Sequence, residues 1–204
     1  MRTPIQKQRR LQRKFPRKQG GFSLIELLIA VIIIGVLAAI AIAGFGTGAT
    51  NNARAKSIIS AATKLSNNWI YVATGLGIST NIGDAEDATN GIFDSTLDAS
   101  APTTVLGLLM ENNGANLNTD SLRDKFDTLG IRSLRDLGSW DADASTFTLD
   151  VHGVTMQTDG DDNIEVVFDN VPEEVRDVIE SDRGPGVVEY DDPYLNEVRL
   201  NFQP

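Results

Sequence analysis

The sequence predicts an α+β protein, with one long N-terminal helix carrying a small antiparallel sheet. Three observations predict it. Residues 22–45 form an apolar run whose only charge is Glu26. From Asn51 onward apolar residues return at helical spacing, and from Thr146 at strand spacing. Helix first, strands last and one short helix between them is the order of an α+β chain, not of alternating βαβ units. At 204 residues the chain is long enough for one domain with a modest core.

Charge divides the chain before any element is considered. The formal net charge is −10. Residues 1–21 hold Arg2, Lys7, Arg9, Arg10, Arg13, Lys14, Arg17 and Lys18 and no acid, a balance of +8. The remainder has 10 Lys/Arg against 28 Asp/Glu, a balance of −18. So acidic a body predicts no direct nucleic-acid binding, because backbone phosphates recruit Lys and Arg. With no cysteine in the chain, disulfides contribute nothing.

As an α-helix the run 22–45 is about 36 Å long, at about 1.5 Å per residue, enough to cross a bilayer core. Its β-branched stretch Val31-Ile32-Ile33-Ile34 is compatible with a helix in lipid, where every backbone group must bond within the segment. The basic flank stays cytoplasmic and the acidic part is translocated. An ordinary secretory signal has a shorter apolar core and a cleavage site beyond it. Here the glycine pair Gly20-Gly21 precedes the run. A cut there removes residues 1–21 and leaves the apolar helix as the new N-terminus. Glu26 is then the notable residue, since a carboxylate at the bilayer centre costs about 2.5–3.5 kcal/mol on insertion scales. It snorkels to the head groups, or it meets a cation inside an assembly. Cleavage supplies such a cation, the amine of Phe22, and the positive end of the helix also favours an anion.

The stretch Gly21-Phe22-Ser23-Leu24-Ile25-Glu26-Leu27-Leu28-Ile29-Ala30-Val31, continued by Gly35-Val36-Leu37-Ala38-Ala39-Ile40-Ala41, resembles the N-terminal segment of bacterial type IV prepilins. The resemblance implies a pilin-like fold. It also implies cleavage by an inner-membrane prepilin peptidase after Gly21, N-methylation of Phe22 by the same enzyme, and docking of subunits through Glu26. The implied partners are the membrane before assembly, the inner-membrane pilus assembly machinery, and further copies of the chain in a helical filament. The implied location is the inner membrane as a single-pass protein, then an extracellular pilus or fimbrium. Leader length is similar to the type IVb-like members, whereas Phe22 at the cut is typical of the short-leader subclass. The proline often found near the end of the apolar run is replaced by Ala43, followed by Gly44, Gly46 and Gly48. Each glycine weakens a helix by about 1 kcal/mol relative to Ala. A flexible or locally melted stretch over 44–50 is the expectation for the filament, with a plain helix boundary as the alternative.

Ala55, Ile58, Ile59, Ala62, Leu65, Trp69, Ile70 and Val72 predict an amphipathic helix over 50–73, stopped at Thr74-Gly75-Leu76-Gly77. Trp69 is its core anchor. Residues 46–74 thus continue the helix of 22–45, and 75–204 form the globular head. Within the head, 75–145 reads as a long surface connection with short helices at 104–112 and 120–129, the second capped by Asp120 or Ser121. Strands follow at 146–151, 163–168, 187–190 and 198–202. A short helix over 171–179 has Pro172 in its first turn. The Val-Pro helix among strands also resembles type IVb-like pilins, in which a cysteine pair closes this region.

Other chemistry is sparse. Asp159, Asp161, Asp162 and Glu165 are weak calcium candidates that match no EF-hand, and the bland reading is a solvated acidic turn. Asp191-Asp192-Pro193 is a similar weak case. His152, the only histidine, makes no triad or zinc site by itself. No phosphate-binding loop, dinucleotide fingerprint or cysteine nucleophile is present. The sequence therefore predicts a non-enzymatic protein without a cofactor. A filament subunit serving adhesion, motility, aggregation or DNA uptake is the first expectation. A type II secretion pseudopilin is the second, and a signal-anchored periplasmic binding domain that never polymerises is the third.

Overall fold

A computed structural model describes residues 23–159, 161–184, 188–189 and 196–204, without the side chains of 42–47 and 188–189. Gly21, Phe22, Gly160 and the Asp191-Asp192-Pro193 run lie outside the described residues. Among the described residues there are five α-helices: α1 (Leu24–Leu76), α2 (Ile82–Ala85), α3 (Val105–Glu111), α4 (Asp120–Leu129) and α5 (Glu173–Arg183). Six strands accompany them: β1 (Ser139–Asp141), β2 (Thr146–Leu149), β3 (His152–Thr158), β4 (Ile164–Phe168), β5 (Val188–Glu189) and β6 (Val198–Phe202). All pairings are antiparallel, in the order β1-β2-β3-β4-β6-β5. The α+β class is as the sequence predicts.

The second stretch of α1 supplies the head's core. Ala55, Ile58, Ala62, Leu65, Trp69, Val72 and Leu76 recur three or four residues apart and are fully or almost fully buried. They share one hydrophobic cluster with Phe147, Val154, Val166, Phe168 and Leu200 of the sheet. Trp69 has no exposed surface, and its indole N–H donates to Thr80 O at 2.6 Å, so the one polar atom of this anchor is satisfied. The helix runs to Leu76, three residues beyond the expected end. Gly77 at φ 76° donates to Thr74 O and Ile78 N donates to Ala73 O, which closes it with the paired bonds of a Schellman stop. The backbone of 44–50 is helical in the single chain, with Asn52 Nδ2 donating to Gly48 O at 2.8 Å.

The segment expected as a surface connection is built into the core instead. α2, α3, α4, a 3₁₀ turn at Arg135–Leu137 and β1 all lie within it. Ile82, Leu108, Leu109, Met110 and Leu117 are buried. Its polar composition misleads because some of those polar groups satisfy buried backbone. Asn116 is itself buried and spans the turn at 98–101, accepting from Asp98 N and donating to Asp98 O and Ala101 O, each at 2.8 Å. Asn118 Nδ2 does the same for Gly91 O.

Three boundaries differ from expectation for local reasons. The cap of α4 is Thr119, whose hydroxyl accepts from Leu122 N at 3.2 Å, and not Asp120 or Ser121. Pro172 stands just before α5 as its cap residue, and the helix runs on to Arg183 before Gly184 at φ 88°. The strand expected over 146–151 ends at Leu149. Asp150 takes φ 59°, Val151 is 70% exposed, and the chain returns as β3 with Leu149 opposite His152.

Candidate assembly site

The described part of α1 begins with a reciprocal cap. Glu26 N donates to Ser23 Oγ at 3.2 Å, and Ser23 N donates to Glu26 Oε2 at 3.4 Å. Ser23-Leu24-Ile25-Glu26 is the S-x-x-E capping box, in which each side chain satisfies a backbone N–H that the first turn leaves open. The motif is readable in the sequence, but the membrane cost of Glu26 draws attention away from it. One function therefore holds Glu26 within its own chain. The cap engages Oε2 through a long bond, and Oε1 has no partner among the described residues.

From Leu24 to Ala41, 18 residues are long and apolar enough to cross a membrane, and none of this stretch is buried by the rest of the chain. Every large hydrophobic side chain from Leu24 to Ile40 is exposed, on all sides of the helix. Gly35 has no atom within 4 Å of where a Cβ would stand. A helix apolar all round is stable only where something other than water surrounds it.

The acidic residues of the head do not converge. Asp159 accepts from Asp161 N at 2.9 Å, Asn163 N at 2.8 Å and Asn163 Nδ2 at 2.9 Å, so its carboxylate closes its own turn. Those hydrogen bonds, the Asn163 side chain first, hold Asp159 below the ordinary carboxylate pKa. Asp162 accepts from Asn81 Nδ2 at 2.7 Å and ties the β3–β4 turn to the start of α2. Glu165, grouped with these acids as a weak calcium candidate, lies within β4, a strand buried along its whole length, and accepts from Gln157 Nε2. Among the described residues no group of three His, Asp or Glu side chains is placed to hold a metal. His152 is buried with Nδ1 3.0 Å from Asp169 O, a position in the packing of β3.

Elsewhere one carboxyl is perturbed upward. Glu86 accepts from Val105 N at 2.6 Å at the start of α3, and desolvation raises its pKa although that hydrogen bond works against the shift. It braces the start of α3.

An α+β head borne on an apolar helix, with a carboxylate at the helix start, defines a membrane-anchored protein whose anchor is also a candidate assembly element. Residues 16–42 match the family model for the prokaryotic N-terminal methylation motif. The N-terminal segment is thus type IV prepilin-like, and its motif is that of the pilin and pseudopilin group, which prepilin peptidase and pilus-type assembly machinery handle. That group is structural rather than enzymatic, and its members are anchored in the membrane before assembly. No curated protein and no solved structure matches the chain.

Proposed function

We propose that this chain is a structural subunit of a bacterial type IV pilus, cut after Gly21, N-methylated on Phe22 and polymerised through 22–45 into an extracellular filament. The observation that carries the reading is the uncovered apolar helix of Leu24–Ala41 with Glu26 at its start. Burial alone does not drive such a helix out of the membrane, since lipid tails are as apolar as its side chains. The charge term does differ between the two states. In the bilayer Glu26 costs about 2.5–3.5 kcal/mol if unpaired and centrally placed. In a filament with staggered helices, the new amine of Phe22 on a neighbouring copy meets it and removes that cost. The apolar surfaces set where the helices pack, and the carboxylate sets their register. Gly44, Gly46 and Gly48 give this rod its point of extension under load, which strong uniform hydrogen-exchange protection over 44–50 in filaments would refute.

Replacing Glu26 with Val tests the reading. Sheared surface filaments of the unchanged chain should contain it as the major component. The Glu26→Val chain should insert in the membrane normally, with filament yield reduced by about 100-fold if the full charge term is lost. Undiminished filaments would remove Glu26 from assembly. Absent filaments, with protein secretion impaired on deletion of the chain, would make it a pseudopilin. Unaltered secretion and no filaments at all would leave a signal-anchored binding domain.

A further inference from the structure

We infer that the outer face of the second stretch of α1, carrying Lys56 and Lys64, docks against the acidic face of α4 on a second copy of this chain. The inference rests on the filament reading above and specifies a contact between heads. Between Glu26 and Asp84 the chain contains no acid, so the only charges on this stretch of α1 are Arg54, Lys56 and Lys64. All three are exposed, and none is paired with a carboxylate among the described residues. Lys56 and Lys64 lie on one side, separated by exposed Ser60, with Arg183 reaching Thr63 at 3.5 Å beside them. Arg54 points elsewhere, into a mostly apolar cleft beside Asp150 and His152.

The complementary surface is on the same molecule. Asp120, Asp124 and Asp127 recur at i, i+4 and i+7 on α4, and all three are exposed. The two cations of that helix are both engaged. Arg123 donates to Leu117 O and pairs with Asp120, while Lys125 Nζ donates to Leu76 O at 2.8 Å. Asp124 and Asp127 are left without a cationic partner among the described residues. Along α1 Lys56 and Lys64 are about 12 Å apart, and along α4 the acidic row from Asp120, which it shares with Arg123, to Asp127 spans about 10.5 Å, a difference well within the reach of a lysine arm. On α5 the acids are interleaved with Arg176 and Arg183, which makes it the poorer match.

Two unlike patches on one chain form a heterologous contact, which propagates as an open helix when the rotation does not close. The charges also address a problem of this protein. Copies with a body balance of −18 repel one another, and a Lys–Asp row offsets that repulsion at one geometry only.

The absence of cysteine makes the test direct. Full-length Lys64→Cys and Asp124→Cys chains are produced together, filaments are sheared, and a short bis-maleimide is added before denaturing electrophoresis. A dimer in the mixed filaments, absent when either variant is produced alone, is expected. Lys56→Glu with Lys64→Glu should cut filament yield at least tenfold, and adding Asp124→Lys with Asp127→Lys should restore most of it. Filaments that form but do not cross-link would overturn the inference and leave the pilus reading standing, as would wild-type yield from the reversed lysines. Cross-linking of Lys64→Cys to Asp177→Cys of α5 in preference to Asp124→Cys would overturn it too. Loss of binding to anionic lipid vesicles on charge reversal, with assembly intact, would make the lysines a lipid-facing surface and also overturn it. If the unaltered chain makes no filaments, both readings fall together.

Discussion

Two stretches of α1 are both helical and have opposite arrangements of apolar residues. Over Leu24–Ala41 the apolar residues occupy every side of the helix and none is buried by the chain. From Ala55 to Leu76 they occupy one side, and that side is buried in the head. Periodicity therefore separates a surface the chain satisfies by itself from one that needs lipid or other copies. The stretch from Ala55 to Leu76 contributes to stability within one molecule, and the stretch from Leu24 to Ala41 only to association. Substitutions in the two should be separable in effect, which is how the distinction can be broken.

The largest separation is expected at Trp69. Removing this buried indole in Trp69→Ala should cost the head about 3–5 kcal/mol, as for large aromatic-to-alanine changes in cores. Ile33→Ala in the exposed stretch should leave the thermal unfolding of the detergent-solubilised head unchanged. Comparable losses of melting temperature in both variants would overturn the assignment of the apolar stretch to association alone.

Much of this was legible from residues alone. Thr104 and Asn112 bracket α3 because a hydroxyl cap and a left-handed Asn leave local marks, and the structure shows both. The prepilin-like N-terminus is local in the same sense. Strand β3 was hidden because Gly153 reads as a break. Its actual role is contact, since a Cβ there would stand 2.5 Å from Asp169 Oδ2. The turn at Asp150-Val151 was hidden for a related reason, because a positive φ at Asp and an exposed Val leave the strand pattern seemingly unbroken. Burial of 77–145 depends on Asn116 and Asn118 satisfying distant carbonyls, a tertiary fact with no sequence period. The assembly partners of Glu26 belong to other copies and have no trace in one chain beyond the carboxylate itself.

A smaller effect separates the two stretches at glycines. A Cβ on Gly75 would stand 2.3 Å from Leu129 Cδ2, where α4 packs on the end of α1. Gly75→Ala should therefore destabilise the head by about 1–3 kcal/mol, the usual range for overpacking, with some of it offset as Leu129 shifts. The same substitution at Gly35 meets nothing in the single chain and should strengthen the helix by about 1 kcal/mol. If Gly35→Ala nonetheless lowers filament yield, position 35 is a point of close helix approach between copies, as small residues in membrane helices often are. Denaturant unfolding of the head and quantified sheared filaments measure the two sides independently.

The smallest expected effect is a pH dependence that belongs to the head alone. Asp159 holds its turn with three hydrogen bonds, and they keep its pKa below the ordinary 3.8. A carboxyl whose folded pKa lies below its unfolded value adds stability that is fully present above the unfolded value. That stability is lost as pH falls through the folded one. The head should therefore loosen in acid below about pH 3.8, with Asp159 as one contributor. Its exposure to water keeps that contribution small. Asp159→Asn should flatten this part of the acid limb in a pH series of melting temperatures. It should leave the helix content of 24–41 and the membrane anchoring unchanged at every pH. An acid limb identical in Asp159→Asn and the unaltered chain would show that the turn is held by Asp162 and Asn81 instead, with the Asp159 carboxylate contributing nothing measurable.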